Sequence, residues 1–304
     1  MSAPIGGQAV LEGVMMRGPS AWSVAVRKPD GEIAEVNRPI SSFLLRHRWA
    51  RLPVVRGVFA LGESLAIGFR ALAISANYAA QEEGEEGEVE TELSRGQLLF
   101  AFGIAIGFAL MLFKVSPALI TSWLPIESTG WFVVIEGCLR VTIFILYLVI
   151  VGFMPDLKRV FQYHAAEHKA INAYEAGDAL EPEVVQRHSL IHVRCGTAFL
   201  LYVMVIAIFV FAFVGQPGWF WLIVSRIALL PVIAGIAYEV IRFAGKHPQN
   251  PILRTILAPG LWLQRLTTRA PSLDQIEVSI RALHEVLRLE GRLTPEERKV
   301  EVMA

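Results

Sequence analysis

The sequence has no surplus of charge of either sign. Its 28 basic and 28 acidic residues cancel, and together they make up only 18% of the 304 residues. Proteins that bind nucleic acid usually carry a clear excess of Lys and Arg, so we predict no nucleic-acid partner. The low share of charge stands beside 54% hydrophobic residues, which is more typical of a membrane protein than of a soluble enzyme.

Cysteine is scarce as well, since Cys138 and Cys195 are the only two. Two cysteines exclude a framework of several disulfides. Cys138 lies within an apolar run, where we expect it to be buried or to face lipid. The first 20 residues lack the apolar core of a cleavable signal peptide, so we expect the N-terminus to be retained.

Long apolar runs are what the sequence has instead. Four of them are near the length that a helix needs to cross a hydrocarbon core of ~30 Å. They cover residues 97–113 (extending to about 124), 131–153, 197–214 and 218–237. Lys and Arg are concentrated in three places: before the first run, between the second and the third run, and after the fourth run. The positive-inside rule therefore predicts a protein of the cell (inner) membrane, with both termini and residues 154–196 on the cytoplasmic side.

We accordingly predict a mainly α, polytopic membrane protein with about four transmembrane helices, amphipathic interfacial helices and a small N-terminal β-hairpin. The predicted division of the chain is a glycine-rich loop and hairpin at 1–52, an amphipathic helix at 53–80, an acidic linker at 81–95, a four-helix membrane domain at 96–240 that includes the cytoplasmic segment 154–196, and cytoplasmic or interfacial helices at 241–304.

The N-terminal part contains two patterns. Glycines at 6, 7, 13 and 18 indicate close backbone approach or turns, and we favour this structural role over a loop that binds a substrate or a lipid headgroup. Residues 22–36 alternate between apolar and polar types around Pro29-Asp30-Gly31, which predicts the hairpin.

The helix predicted at 53–80 is almost entirely apolar apart from Arg56, Glu63 and Arg70. These three residues are spaced seven apart and form a charged stripe along one side of the helix. This stripe favours a helix in the interface, or one packed on other membrane helices, over a full span.

Charged residues also occur inside the apolar runs. Glu136 and Arg140 are four apart and are expected to pair with each other, whereas Arg226 needs a partner on another helix. A transporter built on these three residues is the weakest functional hypothesis, since the sequence displays no repeat and no pair of broken helices.

The C-terminal segment begins with a capping box at Ser272 and Gln275. The helix after it places four apolar residues on one face, namely Ile276, Ile280, Leu283 and Leu287. This face is expected either to form a homo-oligomer or partner surface or to rest on membrane lipid.

The chemistry is concentrated in His164-Ala165-Ala166-Glu167-His168. On a helix, positions i and i+4 share a face, so both imidazoles can meet one metal ion. Glu167 lies on the same side, where it can act as general base on water. The order His-x-x-Glu-His is that of the inverzincins. We expect a helix from about Asp156 to Ala176, stopped by Gly177.

A third ligand is expected from one of three residues that the topology brings to the same side of the membrane. Glu239 best fits a His/His/Glu zinc site, and His192 and Cys195 are the alternatives. Glu175 and Arg194 are expected to orient the metal ligands without binding the metal themselves. The alternative to a metal site is that the histidines bind lipid phosphates and that Glu239 pairs with Arg242.

Three segments carry a family resemblance: residues 6–17, His164 to Lys169, and Arg194-Cys195-Gly196-Thr197. On the basis of these segments, the chain resembles the YqhQ-like family, and the resemblance extends over nearly its whole length. These are bacterial multi-pass membrane proteins of unknown function, with relatives in plastid-bearing organisms. The resemblance implies a predicted metal-dependent enzyme. This chain has Val193 where the family tends to have proline between the matching histidine and arginine.

The function that these residues favour is that of a metal-dependent membrane enzyme, a zinc hydrolase at the cytoplasmic membrane face, although another divalent metal would suit the same ligands. Two kinds of substrate bond fit this function, a peptide bond near the membrane and a lipid-linked ester. The alternative is a non-catalytic membrane scaffold or assembly factor.

Overall fold

The computed structural model describes residues 5–79, 95–215, 218–247 and 250–291. The acidic linker predicted at 81–95 lies outside these residues except for Arg95. Four strands open the chain: β1 Gly6–Val10, β2 Gly13–Arg17, β3 Ala21–Arg27 and β4 Ile33–Pro39. The helices are α1 Phe43–Arg46, α2 Val55–Ala79, α3 Arg95–Leu110, α4 Ser116–Ser122, α5 Thr129–Val151, α6 Pro155–Ala176, α7 Pro182–Val185, α8 Gly196–Val214, α9 Trp219–Ala228, α10 Leu230–Lys246, α11 Pro251–Thr267 and α12 Leu273–Leu289. A 3₁₀ turn covers Arg48–Arg51, and a π-helix, Met111–Val115, joins α3 to α4.

The N-terminal sheet is larger than the predicted hairpin. All four strands are antiparallel and lie in chain order, so that the predicted hairpin is only its second half, β3–β4. The glycine-rich stretch forms β1 and β2 around a tight turn, where Glu12 adopts a φ of +51°. Glycine is unfavourable in strands, which is why its pattern predicted a loop.

Both faces of the sheet are covered by helices. Val14 and Met16 pack into a core with α6 and α12, whereas Met15 and Val24 face the opposite way, against α2. Strand β3 is consequently buried along almost its whole length. Segments far apart in the sequence thus share one three-layer unit, which the linear division of the chain did not anticipate.

Helix α12 lies inside this unit. Its capping box is confirmed, because the backbone N–H of Ser272 donates to Gln275 Oε1 at 3.0 Å and Ser272 Oγ accepts from the Gln275 backbone. The apolar face that we expected to meet a partner or lipid is buried against the sheet and α6, from Ile276 to Leu287. An amphipathic pattern indicates that one face of a helix is buried, but it does not indicate which part of the protein, partner or membrane covers that face.

The remaining helices are those of a membrane protein, as predicted. By length and hydropathy, four helices among the described residues could cross a bilayer: α2, residues 103–122, α5 and α8. Helices α9 and α10 together would make a fifth span, but they are bent by 41° at Leu229. The apolar run at 218–237 predicted one span without such a break. Pro231 in the first turn of α10 removes a backbone donor there.

Helix α2 connects the membrane helices to the sheet. Its first half packs on α10, where Gly57 and Gly235 allow close backbone approach, and Ile67 in its second half is buried against the sheet. Arg56 forms an ion pair with Glu239 of α10, and Glu63 accepts from Arg17 of β2. Two of the three charges of the stripe therefore meet protein partners, in agreement with the packed alternative, and Arg70 is exposed.

Burial of the α12 face leads to a stability prediction. Replacing Leu283, which is fully buried, by Ala should lower the free energy of unfolding by about 2–5 kcal/mol, because it opens a cavity in the sheet core. Leu289 on the same helix is 42% exposed, so L289A should change it by no more than about 0.5 kcal/mol. Denaturant or thermal unfolding in detergent measures both. Equal effects of the two substitutions would contradict the buried position of this face.

Candidate metal centre

Helix α6 carries the His-x-x-Glu-His motif and has defined ends. Met154 is its N-cap and Pro155 occupies the first turn, where a missing backbone N–H costs nothing. Asp156 lies in the first turn rather than at the cap. Gly177 ends the helix in the left-handed conformation, with a φ of +78°, as the sequence predicts. The motif is therefore held on 22 residues of regular helix.

Three side chains converge beside this helix. Nitrogen and sulfur atoms of His164, His168 and Cys195 all lie within 4.8 Å of one another. The two imidazole centroids are 4.4 Å apart, and Cys195 Sγ lies 3.3 Å from His164 Nε2. Cys195 is the N-cap residue of α8, so it sits where a membrane-length helix begins. His168 and Cys195 are buried, and His164 is half-buried.

Backbone carbonyls orient both imidazoles. His164 Nδ1 donates to the carbonyl of Thr267 at 2.9 Å, and His168 Nδ1 donates to that of Leu190 at 2.6 Å. A carbonyl can only accept, so each Nδ1 carries the proton and each Nε2 presents a lone pair. This is the arrangement in which protein histidines usually bind metals.

The Nε2 of His168 fits such a role, because it is buried and has no hydrogen-bond partner in the described structure. A buried polar atom without a partner is costly unless something binds it. Two imidazoles and one thiolate suit zinc, and three protein ligands leave its fourth position open, as in catalytic zinc sites. The hydroxyl of Thr197 lies 2.9 Å from Cys195 Sγ and can donate to the thiolate.

Glu239, which was the preferred third ligand, lies elsewhere. Its carboxylate accepts from the Arg56 side chain and from the backbone N–H of Val54, and it is not part of the converging group. Arg56 was assigned to the interfacial stripe, so the sequence offered no reason to pair it with Glu239. On this geometry Cys195, one of the two alternatives, replaces Glu239 as the third candidate ligand.

His192, the other alternative, adjoins the group without joining it. Its ring centroid is 5.8 Å from that of His168, and its Nε2 lies 3.5 Å from Glu175 Oε2. Burial lowers the pKa of His192 and so favours its neutral form. The Gln264 side chain both donates to and accepts from the His192 backbone, which fastens the loop before α8 to α11.

Glu175 and Arg194 support this loop rather than the ligands themselves. Arg194 donates to Glu175, which also pairs with His192. Burial of the Glu175 carboxyl opposes its ionisation, but the hydrogen bonds from His192 and Arg194 outweigh it and lower its pKa to about 2. The ion pair holds the end of α6 to the loop that contains Leu190 and Cys195.

Glu167 is buried against strand β1. A Cβ added to Gly7 would lie 2.7 Å from Glu167 Cγ, so only glycine leaves room for this side chain. Burial raises the pKa of Glu167 to about 7, and the nearby His164 and a hydrogen bond from the Gly7 backbone oppose that rise only in part. A carboxyl group with this pKa can take up or release a proton at neutral pH.

Several supporting groups were not identified from the sequence. The carbonyls of Leu190 and Thr267 carry no sequence signal, because every residue has a carbonyl. Gln264 is an ordinary polar residue in an amphipathic segment. The glycine at position 7 was noted as a place of close approach, and Glu167 is what approaches it.

Comparison with known proteins gives a family but no activity. Residues 52–289 match the family model described as protein of unknown function (DUF1385). The chain is also 34% identical over 295 residues to the uncharacterised protein YqhQ of Bacillus subtilis (strain 168), which covers 94% of this chain and 93% of that protein. No solved structure matches. The resemblance to YqhQ-like proteins is thus confirmed, and the chain belongs to the DUF1385 family of proteins of unknown function.

Proposed function

We propose that this chain is a metal-dependent hydrolase of the membrane, with zinc or a similar divalent metal bound by His164, His168 and Cys195. The observation that carries the proposal is the buried, unpartnered Nε2 of His168 beside a second imidazole nitrogen and a thiol. Hydrogen bonds to the carbonyls of Thr267 and Leu190 support it, because they leave both Nε2 atoms free to bind a cation.

The proposed site lies at one end of the apolar helices. Cys195 directly precedes α8, and α6 begins four residues after α5 ends. The distribution of Lys and Arg predicts that this end faces the cytoplasm. A site at this level suits a hydrolysable carbonyl bond near the membrane surface, of which a peptide and a lipid-linked ester are both examples.

Zinc in such a site supplies Lewis acidity, which lowers the pKa of water toward 7. Glu167 then acts as the general base of the reaction, because its carboxyl group exchanges a proton near neutral pH. The Gly7 backbone holds that carboxylate in place, and His192 and Gln264 hold the loop that carries Cys195. Of the three candidate ligands, His164 is half-buried and the other two are buried.

The scaffold alternative draws on two amphipathic helices as partner surfaces, at 53–80 and at 272–290. The apolar face of the second is covered by the sheet and α6, and the first packs on α10 and on the sheet. These two surfaces therefore give the scaffold alternative little support.

Metal content tests the ligand set. Protein purified in detergent should contain about one zinc per chain, and H168A and C195A should each reduce this at least tenfold. C138A is the matched cysteine control and E239Q tests the rejected ligand; both should keep the metal, since Cys138 is exposed on α5 and Glu239 pairs with Arg56. The ligand set is wrong if E239Q loses the metal or if C195A retains it.

Gly7 tests the placement of the proposed base. The G7A substitution should displace Glu167 and, like E167Q, abolish hydrolysis of amphiphilic fluorogenic peptides or esters by the metal-loaded protein, while zinc content stays unchanged. G6A is the matched control, because no atom lies within 4 Å of a Cβ at that position. If G7A behaves as G6A does, the contact between β1 and Glu167 has no part in the reaction.

Stability as a function of pH tests the support of the loop. The pKa of Glu175 in the folded protein is about 2, below the ordinary value of 4.5 for a glutamate, so its ionised form stabilises the fold. This contribution is complete above about pH 4.5 and is lost as the pH falls toward 2. E175Q should therefore lower the Tm at pH 7, and its difference from wild type should shrink below pH 4.5. E181Q, at an exposed glutamate nearby, should have little effect at either pH. A pH-independent deficit of E175Q would argue against the ion pair.

A further inference from the structure

A second group of charged residues lies inside the membrane helices. Glu136 and Arg140 of α5 pair as predicted, and the required partner of Arg226 in α9 is the same carboxylate, reached at 2.6 Å by Arg226 Nη2. All three side chains are almost completely buried, and the ring of Phe211 lies 4.1 Å from the Arg226 guanidinium. Arg140 is the twelfth of the 23 residues of α5, so the group lies near the middle of that helix.

The positive charge of this group exceeds its negative charge. Two guanidinium groups, which stay protonated in proteins, share the single carboxylate of Glu136. Lys114 adds a third basic side chain: it is only 7% exposed and lies close enough to Glu136, Arg140 and Arg226 to interact with them electrostatically. In the part of the chain that the structure describes, its amino group has no hydrogen bond or ion pair. An unbalanced charge at this depth costs several kcal/mol.

The backbone beside the group is irregular on two sides. Lys114 belongs to the π-helix, whose Phe113 carbonyl accepts from Arg140 Nε at 3.0 Å. Arg226 lies three residues before the bend between α9 and α10 at Leu229. Interrupted helices in membrane proteins are often found where ions or ligands bind, and π-helices often mark functional sites.

We propose that this group binds a small anion, a halide or a short carboxylate, between Lys114 and the two guanidinium groups. An anion there would balance the excess positive charge, and both guanidinium and ammonium groups are strong donors to it. Lipid headgroups lie about 15 Å from the middle of a bilayer, so a phospholipid phosphate is the wrong occupant for this depth. The site is separate from the candidate metal centre.

Thermal unfolding of the purified full-length protein tests the proposal. The Tm is measured while chloride, or formate as a carboxylate, replaces gluconate at constant ionic strength. Wild type should show a saturable rise of about a few degrees. K114M should need about tenfold more anion for half of its rise, since it loses a charged donor. E136Q should need less, because it removes the competing carboxylate.

Two controls keep the outcome unambiguous. K158M removes an exposed lysine of α6 and should respond as wild type does, and K114R should retain the response if K114M does not fold. A wild-type Tm that is indifferent to chloride and formate overturns the proposal. A response that is the same in K114M and wild type also overturns it, because salt then acts on the surface. A response to only one of the two anions identifies the class of ligand.

Discussion

The candidate centre depends on two hydrogen bonds in which imidazole Nδ1 atoms donate to main-chain carbonyls. Thr267 supplies one acceptor at the end of α11, and Leu190 supplies the other in the loop before α8. Each bond selects one tautomer, and together they direct two Nε2 lone pairs toward the thiol of Cys195. Without these bonds neither the tautomer nor the orientation of the two rings on α6 would be selected.

The two carbonyls are fixed because the fold brings distant segments together. The sheet at the N-terminus packs on α6 from the middle of the chain and on α12 from its end. Helix α11 packs on α8, and Gln264 bonds to the His192 backbone in both directions. The site therefore lies where the three-layer unit meets the membrane helices: α6 supplies both histidines, the loop before α8 supplies Cys195 and the carbonyl of Leu190, and the end of α11 supplies the carbonyl of Thr267.

Patterns within short stretches of the sequence could predict secondary structure and its ends. Apolar runs predicted three of the four helices of membrane length, although α2 is the fourth and the run at 218–237 forms the bent pair α9 and α10. Gly177 predicted the end of α6, and Ser272 and Gln275 predicted a capping box, because each signal acts within a few residues. The His-x-x-Glu-His motif likewise identified two candidate ligands on one helix face. Periodicity could not say that α12 packs on the sheet, nor that glycine-rich residues form strands, since these depend on tertiary contacts.

The third ligand illustrates the limit most clearly. Topology brought Glu239, His192 and Cys195 to one end of the helices, but choosing between them requires distances of a few ångströms. Glu239 is not among the converging residues, and Arg56, 183 residues away in the chain, donates to its carboxylate. His192 is held by Glu175. Cys195 is left as the third candidate ligand because the other two residues already have hydrogen-bond partners. A single sequence does not show which of several residues will be taken by such a partner.

The same rule, that a buried polar group needs a partner, links the two proposed sites and gives them opposite character. At the end of the bundle it concerns a neutral imidazole nitrogen with a lone pair, which attracts a cation. Inside the bundle it concerns guanidinium groups that outnumber their carboxylate, which attract an anion. Phe211, which stacks on both arginines, belongs to a different core cluster from the one around Cys195. Because no ionic contact joins the two groups in the described residues, their ligand affinities should be additive rather than coupled.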